Sequence, residues 1–573
     1  MSPRRRLLAG VAGAAVLIAV VTAFARMAGF GRTLVFSQTV GDNCLGTAYV
    51  TANMLPTILF EIVIGGALAG MVVPVLASGA DKGQGEQVRQ TASALVTWVV
   101  VIAVPLSLLL AAVSVPAMAV MLGPGAGCDR ADLVRLAVRF LLVFSPQILF
   151  YGLAAVLYGI LQAHRRFLAP ALAPLVSSLV VMAAYIAFRP LGGAYTDDLA
   201  HLPLNAELTL SVGTTAGVAA LFLTALVPTM RLRLGLRPRL SFPPGVARKV
   251  RSLAAAALLP LVAMQLSLLL AAALANRGGG SGAIVLNNYA WVLFTLPYGI
   301  IAVPIATSAF TTLAVRHGES DRRGFDRVLS GSARASAIIT AALATGLAAA
   351  AAPVASLFAE ADPLPLQRAL LCYAPGIVGF GLLALLSRAL YASRHGREAA
   401  LAQVAGWGAV MVANAALVWL LPPDWTVAAL GAGTSLGLTL AAVLLGAATL
   451  RAHGRAAFAG LGRGLLAVAA GAAAGYPAGA AVSAWSRPLL EAGPWGDAAA
   501  AVAAGGAAIA AFGALALLID GRAVRAAVRR LRAADGAQEG PGEDGTARNG
   551  GGNPGGGASG GGTDDGEVKG EGR

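Results

Sequence analysis

Apolar runs of about twenty residues, separated by short gaps that hold most of the charge, recur along this chain from Leu7 to Ile519. A helix of about that length crosses the hydrocarbon core of a bilayer. The pattern predicts spans at Leu7 to Val40, broken at Gly29 and Gly31, and at Ala48 to Ala77, Thr91 to Val113, Leu133 to Gln162 and Leu168 to Phe188. Leu208 to Pro228, Leu253 to Ala275, Ile284 to Ala314, Ala335 to Phe358 and Leu366 to Ala392 follow. Ala400 to Leu421, Val427 to Leu450, Leu465 to Trp485 and Ala498 to Ile519 complete the set. The expected fold is an all-α polytopic membrane protein of about fourteen transmembrane helices.

The gaps alternate in chemistry. Arginine and lysine collect in every second one, for example Lys82 and Arg89, Arg165 and Arg166, Arg231 to Arg251, Arg316 to Arg334, and Arg522 to Arg532. The intervening gaps carry Asp42, Asp129, Asp197, Asp198, Glu207, Glu360, Asp362 and Asp424. Basic loops stay on the cytoplasmic side, so the alternation predicts an even number of spans with both termini inside. Arg4 to Arg6 before an apolar run, with Ala23-Phe24-Ala25 after it, imitate a cleaved signal. The spans that follow favour an uncleaved first helix.

Composition excludes a soluble domain. Of 573 residues, 57% are hydrophobic and 12% charged, roughly half the charged share of soluble proteins. The net charge of +15 is spread over short loops, which speaks to membrane orientation and against nucleic acid. Cys44, Cys128 and Cys372 fit no metal-ligand spacing. Cys44 and Cys128 both fall at the expected outer surface, where a disulfide is permitted without being required. No phosphate loop, nucleophile elbow or HExxH motif occurs, so a transporter without cofactor is expected.

Ser145 to Arg165 lies over Ala374 to Arg394 without gaps, with Pro146 on Pro375, Gly152 on Gly381 and Arg165 on Arg394. This repeat sets the fourth span over the tenth and predicts two six-helix lobes related by a pseudo-two-fold axis along the membrane normal. The chain then divides into a lobe at 1–230, a basic connector at 231–252, a lobe at 253–450, a helix pair at 451–521, and a basic flank with a disordered glycine-rich tail at 522–573. Arg522 to Arg532 reads as a positive-inside flank or as a surface helix on anionic lipid.

Charges inside spans are costly and mark partners, cavities or substrates. Arg26 and Arg32 flank Gly29 and Gly31, which can bend the helix and bring both guanidiniums to one cavity. Their planar forks suit phosphate oxygens; pairing with Glu61 or snorkelling to an interface is the plainer alternative. Glu61, five residues after Pro56, is read first as a counter-ion for an arginine, with a cation or proton site left open. Asn53 can bond a head group or a carbonyl freed by Pro56. Arg388 lies within the tenth span and can snorkel to the inner surface or contact substrate. Gly66 to Gly70 and Gly433 to Gly437 fit close helix packing.

These residues carry a resemblance. ARMAGFGR at Ala25 to Arg32 resembles the first-helix motif of the MurJ/MviN-type lipid II flippase family, and TANMLPTILFEIVIGGALAGMVVPVL at Thr51 to Leu76 its second-helix motif. Leu157 to Leu175 is similar to the stretch following its fourth helix, and Tyr289 to Phe310 to its eighth-helix segment. The resemblance implies the multidrug/oligosaccharidyl-lipid/polysaccharide exporter fold, in which two six-helix lobes are joined by two C-terminal helices that form a groove for the lipid tail. It implies that lipid II, an undecaprenyl-pyrophosphate-linked glycopeptide, is moved from the inner to the outer leaflet, with Arg26 and Arg32 matching the family's two first-helix arginines. Membrane lipids and cell-wall synthesis proteins are the implied partners. Thr33 and Thr47 stand where aspartates are usual, Phe60 and Glu61 replace paired arginines, Gly65 replaces a glutamate and Val292 an arginine. These departures suit an actinobacterial-like branch and keep open another lipid-linked polysaccharide or teichoic cargo, or a drug. A membrane glycan polymerase or a wall-synthesis scaffold are the readings from other classes.

Overall fold

In a computed structural model, residues 3–62, 85–123, 127–241, 246–490 and 493–536 are described. Among these residues helix is the only regular secondary structure. The first helices are α1 (Pro3–Thr39), α2 (Cys44–Phe60), α3 (Gly85–Ala112), α4 (Ser114–Met121), α5 (Arg130–Phe144), α6 (Gln147–Ala163), α7 (Leu168–Gly192) and α8 (Leu204–Met230). They continue as α9 (Val246–Gly278), α10 (Ala283–Pro297), α11 (Val303–Gly318), α12 (Arg322–Ala349), α13 (Ala351–Phe358), α14 (Leu364–Tyr373) and α15 (Gly376–Ala392). The last are α16 (Gly396–Leu420), α17 (Thr426–His453), α18 (Leu461–Ser486) and α19 (Pro494–Gly536).

Twelve helical stretches among the described residues are long and apolar enough to cross a membrane, and they coincide with the third to fourteenth expected spans. The first two expected spans are not among the twelve: α1 runs 37 residues, and the second is described only from its start at Cys44 to Ile62. Gly66 to Gly70 and the tail after Gly536 lie outside the described residues. Large apolar side chains stay uncovered on the perimeter, with Trp419 85%, Leu518 82% and Val502 76% exposed. Water would penalise such a surface, whereas hydrocarbon does not.

The expected break in the first span is absent: α1 passes Gly29 and Gly31 without leaving the helix. Glycine only weakens a helix by about 1 kcal/mol, and packing of α1 along α7 outweighs that cost. Elsewhere prolines do interrupt spans. Pro146 separates α5 from α6, and Pro375 separates α14 from α15. The 229-residue offset between those prolines is the repeat read from the sequence, and both α6 and α15 span the same aligned positions. Each ends near an arginine with left-handed backbone, Arg165 at φ 56° and Arg394 at φ 65°.

Helices α1 to α8 pack mainly on one another, as do α9 to α17, while α18 and α19 pair and lean on α12. The connector runs beside α3, where the Arg237 and Arg239 amides donate to Ser93 Oγ (3.2 Å) and Thr97 Oγ1 (3.0 Å). A Cys44–Cys128 disulfide joins the start of α2 to the approach of α5. Gly433 to Gly437 packs as expected: a Cβ on Gly437 would stand 2.5 Å from the Val410 amide nitrogen and 2.8 Å from the Gly406 carbonyl of α16.

Candidate functional site: a polar cavity between two helix groups

Between the two helix groups lies a cavity of about 530 Å³. One wall comes from α1, α2, α6, α7 and α8, the other from α9 and α10. Arg32 lines it and is exposed, so the cavity reaches solvent. Tyr49, Tyr151 and Tyr185 line the same cavity. Among the described residues no carboxylate lies within ion-pair distance of its guanidinium. A cation in this setting favours a visiting anion over a resident one.

Hydrogen bonding fixes the wall around Arg32. Tyr49, 2% exposed, shares its hydroxyl with Tyr185 (2.8 Å) and Thr214 (2.6 Å), which ties α2 to α7 and α8. Phe36 packs its ring on both tyrosines, at 5.2 and 5.1 Å. On the facing wall Asn287 accepts a hydrogen bond from Tyr373 (2.9 Å), and Asn288, Gln265 and Trp291 complete the surface.

The other predicted residues divide. Asn53 lines the cavity, and its side-chain oxygen has no hydrogen-bond partner among the described residues. Glu61 lines it too, where α2 widens into a π turn after Pro56. Glu61, Tyr151 and Arg32 share the lining, yet no arginine among the described residues sits within ion-pair distance of Glu61. The counter-ion role read first from the sequence therefore has no arginine partner there. Arg26 does not line the cavity. Because α1 stays regular, six residues turn Arg26 to another side, and it lies against Gly299. Arg388 is also outside: it folds back to donate to the Ala384 carbonyl one turn away (2.9 Å).

The tyrosines of the wall were not legible as site residues, since aromatic residues within spans usually pack. The Asn287-Asn288 pair, polar within an apolar run, was the available signal.

One end of the cavity is sealed where the two groups meet, near the disulfide. Gln38 donates to the Leu357 carbonyl (2.9 Å) and the Gly282 amide to Thr47 Oγ1 (2.9 Å). Asn276 donates to Thr51 Oγ1 (3.0 Å) and the Met121 carbonyl (3.2 Å), and Arg277 to the Val120 carbonyl (2.7 Å). Phe30 and Tyr289 close on Phe358 at 5.6 and 5.5 Å.

Two helix groups around a shared polar cavity closed at one end define a multi-pass membrane transporter. The chain belongs to the lipid II flippase MurJ family, whose family model, "Lipid II flippase MurJ", matches residues 36–486. It is 26% identical to the lipid II flippase MurJ of Burkholderia cenocepacia over 385 residues, 65% of this chain and 72% of that one. It is 29% identical to a probable lipid II flippase MurJ of Synechocystis over 251 residues, 43% of this chain and 45% of that one. Among solved structures, an inward closed conformation of lipid II flippase MurJ superposes with a TM-score of 0.64 at 17% identity, covering 89% of this chain and all of the other. An inward-facing MATE family multidrug transporter gives 0.61 at 14% identity, covering 77% and 98%. The fold is that of these transporters.

Proposed function

We propose that this chain is the flippase for lipid II in the cytoplasmic membrane, turning the head group from the inner to the outer leaflet by alternating access. The observation that carries the reading is Arg32, a guanidinium with no carboxylate partner among the described residues, on the wall of a cavity shared by two helix groups and sealed at one end. Its planar fork suits a pyrophosphate, while the apolar perimeter leaves the undecaprenyl tail in lipid. Both termini then lie in the cytoplasm, in accord with the basic loops, and the disulfide end faces outward, where oxidation is permitted. Arg26, Asn53 and Glu61 serve the same head group at different stages of the cycle. Helices α1 to α8 and α9 to α17 are the two lobes, and α18 with α19 the tail groove. Cell-wall synthesis proteins receive the cargo outside.

The acids at the disulfide end support transport over polymerisation. Asp197 accepts from the Cys44 amide (3.1 Å), Asp198 pairs with His201 (2.9 Å), and Glu207 pairs with Arg139 (3.0 Å), so each is engaged in structure.

Two measurements test the function. Replacing Arg26 and Arg32 together by alanine is expected to abolish movement of labelled lipid II in proteoliposomes while leaving assembly intact. Depleting the protein is expected to strand lipid II in the inner leaflet; normal outer-leaflet levels after depletion would overturn the assignment.

A further inference from the structure

Arg26 and Arg388, the two candidate arginines outside the cavity, meet the same short segment. Between α10 and α11, residues Tyr298–Ala302 form a π turn, in which the Val303 amide reaches back five residues to the Tyr298 carbonyl. The cause is in the sequence. Pro297 and Pro304 lack the N–H groups that an α-helix needs there, so the backbone widens between them. Tyr298 stacks its ring on Phe380 at 3.6 Å with 11° between the planes, and its hydroxyl faces the Arg388 guanidinium. Arg388 is thereby held in the second helix group.

Gly299, the next residue, receives Arg26 from the first group. A Cβ at Gly299 would stand 2.5 Å from Arg26 Nη1, 3.5 Å from Cζ and 3.7 Å from Nη2. All three guanidinium atoms thus lie against the face that a side chain would fill. The glycine has a helical neighbourhood and needs no unusual φ, so its lack of a side chain is what matters. No carboxylate among the described residues pairs with Arg26.

We propose that Gly299 is a positioning residue for Arg26: the bare π turn seats the guanidinium across the junction of the two helix groups, and a methyl group there unseats it. The inference rests on the flippase reading for its effect on transport, while the seat itself is independent of cargo. In this conformation Arg26 is parked on the turn, and movement of the groups apart frees it for the head group.

A double-mutant cycle on the full-length protein tests the seat, with Gly299→Ala and Arg26→Ala made singly and together. Flipping of labelled lipid II in proteoliposomes and the thermal midpoint in detergent are read for each. Gly299→Ala is expected to slow flipping by about tenfold or more, as misplacement of a substrate-handling group does, and to lower the midpoint only slightly, because the atoms displaced are the tip of a flexible, exposed side chain. In the Arg26→Ala background the same change is expected to alter neither. Should Gly299→Ala alone fail to fold, the double variant is expected to restore assembly. Wild-type flipping by Gly299→Ala, equal losses in both backgrounds, or a double variant that also fails to fold overturns the seat. A wild-type chain that moves no lipid II overturns the function alone, because the midpoint cycle involves no cargo.

Discussion

Arg32 shows how much a single charge can decide when its surroundings are uncharged. Tyr49, Tyr151 and Tyr185 line the cavity with it as neutral hydroxyls, and the facing wall offers amides where the resemblance leads one to expect a further arginine at Val292. With fewer cations in the cavity, each carries more of the attraction to a phosphate. Arg32→Ala is expected to cost at least about tenfold in lipid II flipping, and Arg32→Lys to recover part of it, since an ammonium keeps the charge but loses the bidentate fork. Rates in proteoliposomes with matched protein content check both. A Lys variant as poor as Ala would mean that geometry, and not charge, is what the site supplies.

At the scale of elements, the arrangement of α1 and α2 governs the site. α1 is continuous through Gly29 and Gly31, so its two arginines part, Arg32 toward the cavity and Arg26 toward the π turn. α2 is anchored at both its surroundings and its start: Asn43 caps it by accepting from the Gly46 amide (2.9 Å), and Cys44 binds it to Cys128 across 84 residues of chain. A loop of that length removes much denatured-state freedom, so Cys44→Ser is expected to destabilise the protein by about 2–4 kcal/mol. A lowered thermal midpoint in detergent, matched by reduction of the wild type and absent when Cys44→Ser is itself reduced, checks it. The two aligned helices α6 and α15 make the complementary point. The same proline, helix length and left-handed arginine recur in each, so the repeat is conformational as well as sequential.

Across the whole molecule, the sealed end brings acids of both helix groups together. Asp42, between α1 and α2, is pushed up to about 6 from 3.8, chiefly by burial, with smaller contributions from Asp362 and Asp197, against its own backbone hydrogen bond. Asp362 belongs to the second group and the other two to the first. The raised value means that closure favours the protonated carboxyl. Closure is therefore undisturbed below about pH 4, loses stability as pH rises from there to about 6, and stays weakened above. Asp42→Asn is expected to hold the end closed at every pH. A crosslink between cysteines placed at Gln38 and Leu357, followed from pH 4 to 8, checks this: thiolate formation speeds the crosslink with pH in both proteins, so the yield is read as a ratio, which should fall with pH for the otherwise unchanged protein relative to Asp42→Asn. Equal pH profiles would remove Asp42 from the closure.

The sequence by itself determined the membrane character, the position of twelve spans, the repeat and the candidate charges. These are legible because hydrocarbon imposes a length on every span and a cost on every charge, and both are written locally. Arg32, Asn53 and Glu61 could be read as candidates for the same reason. Only the tertiary structure decided which of them share a cavity. Whether Gly29 and Gly31 bend α1 depends on what packs beside them, so the separation of Arg26 from Arg32 was beyond local reading. The partners of Arg388 and Arg26 lie on the π turn at Tyr298–Ala302, far along the chain, and the pairing of Cys44 with Cys128 required their approach in space. Spacing along a chain fixes which residues can share a helix face; which faces meet is settled by packing among helices that are all similarly apolar, and apolarity alone does not distinguish one neighbour from another.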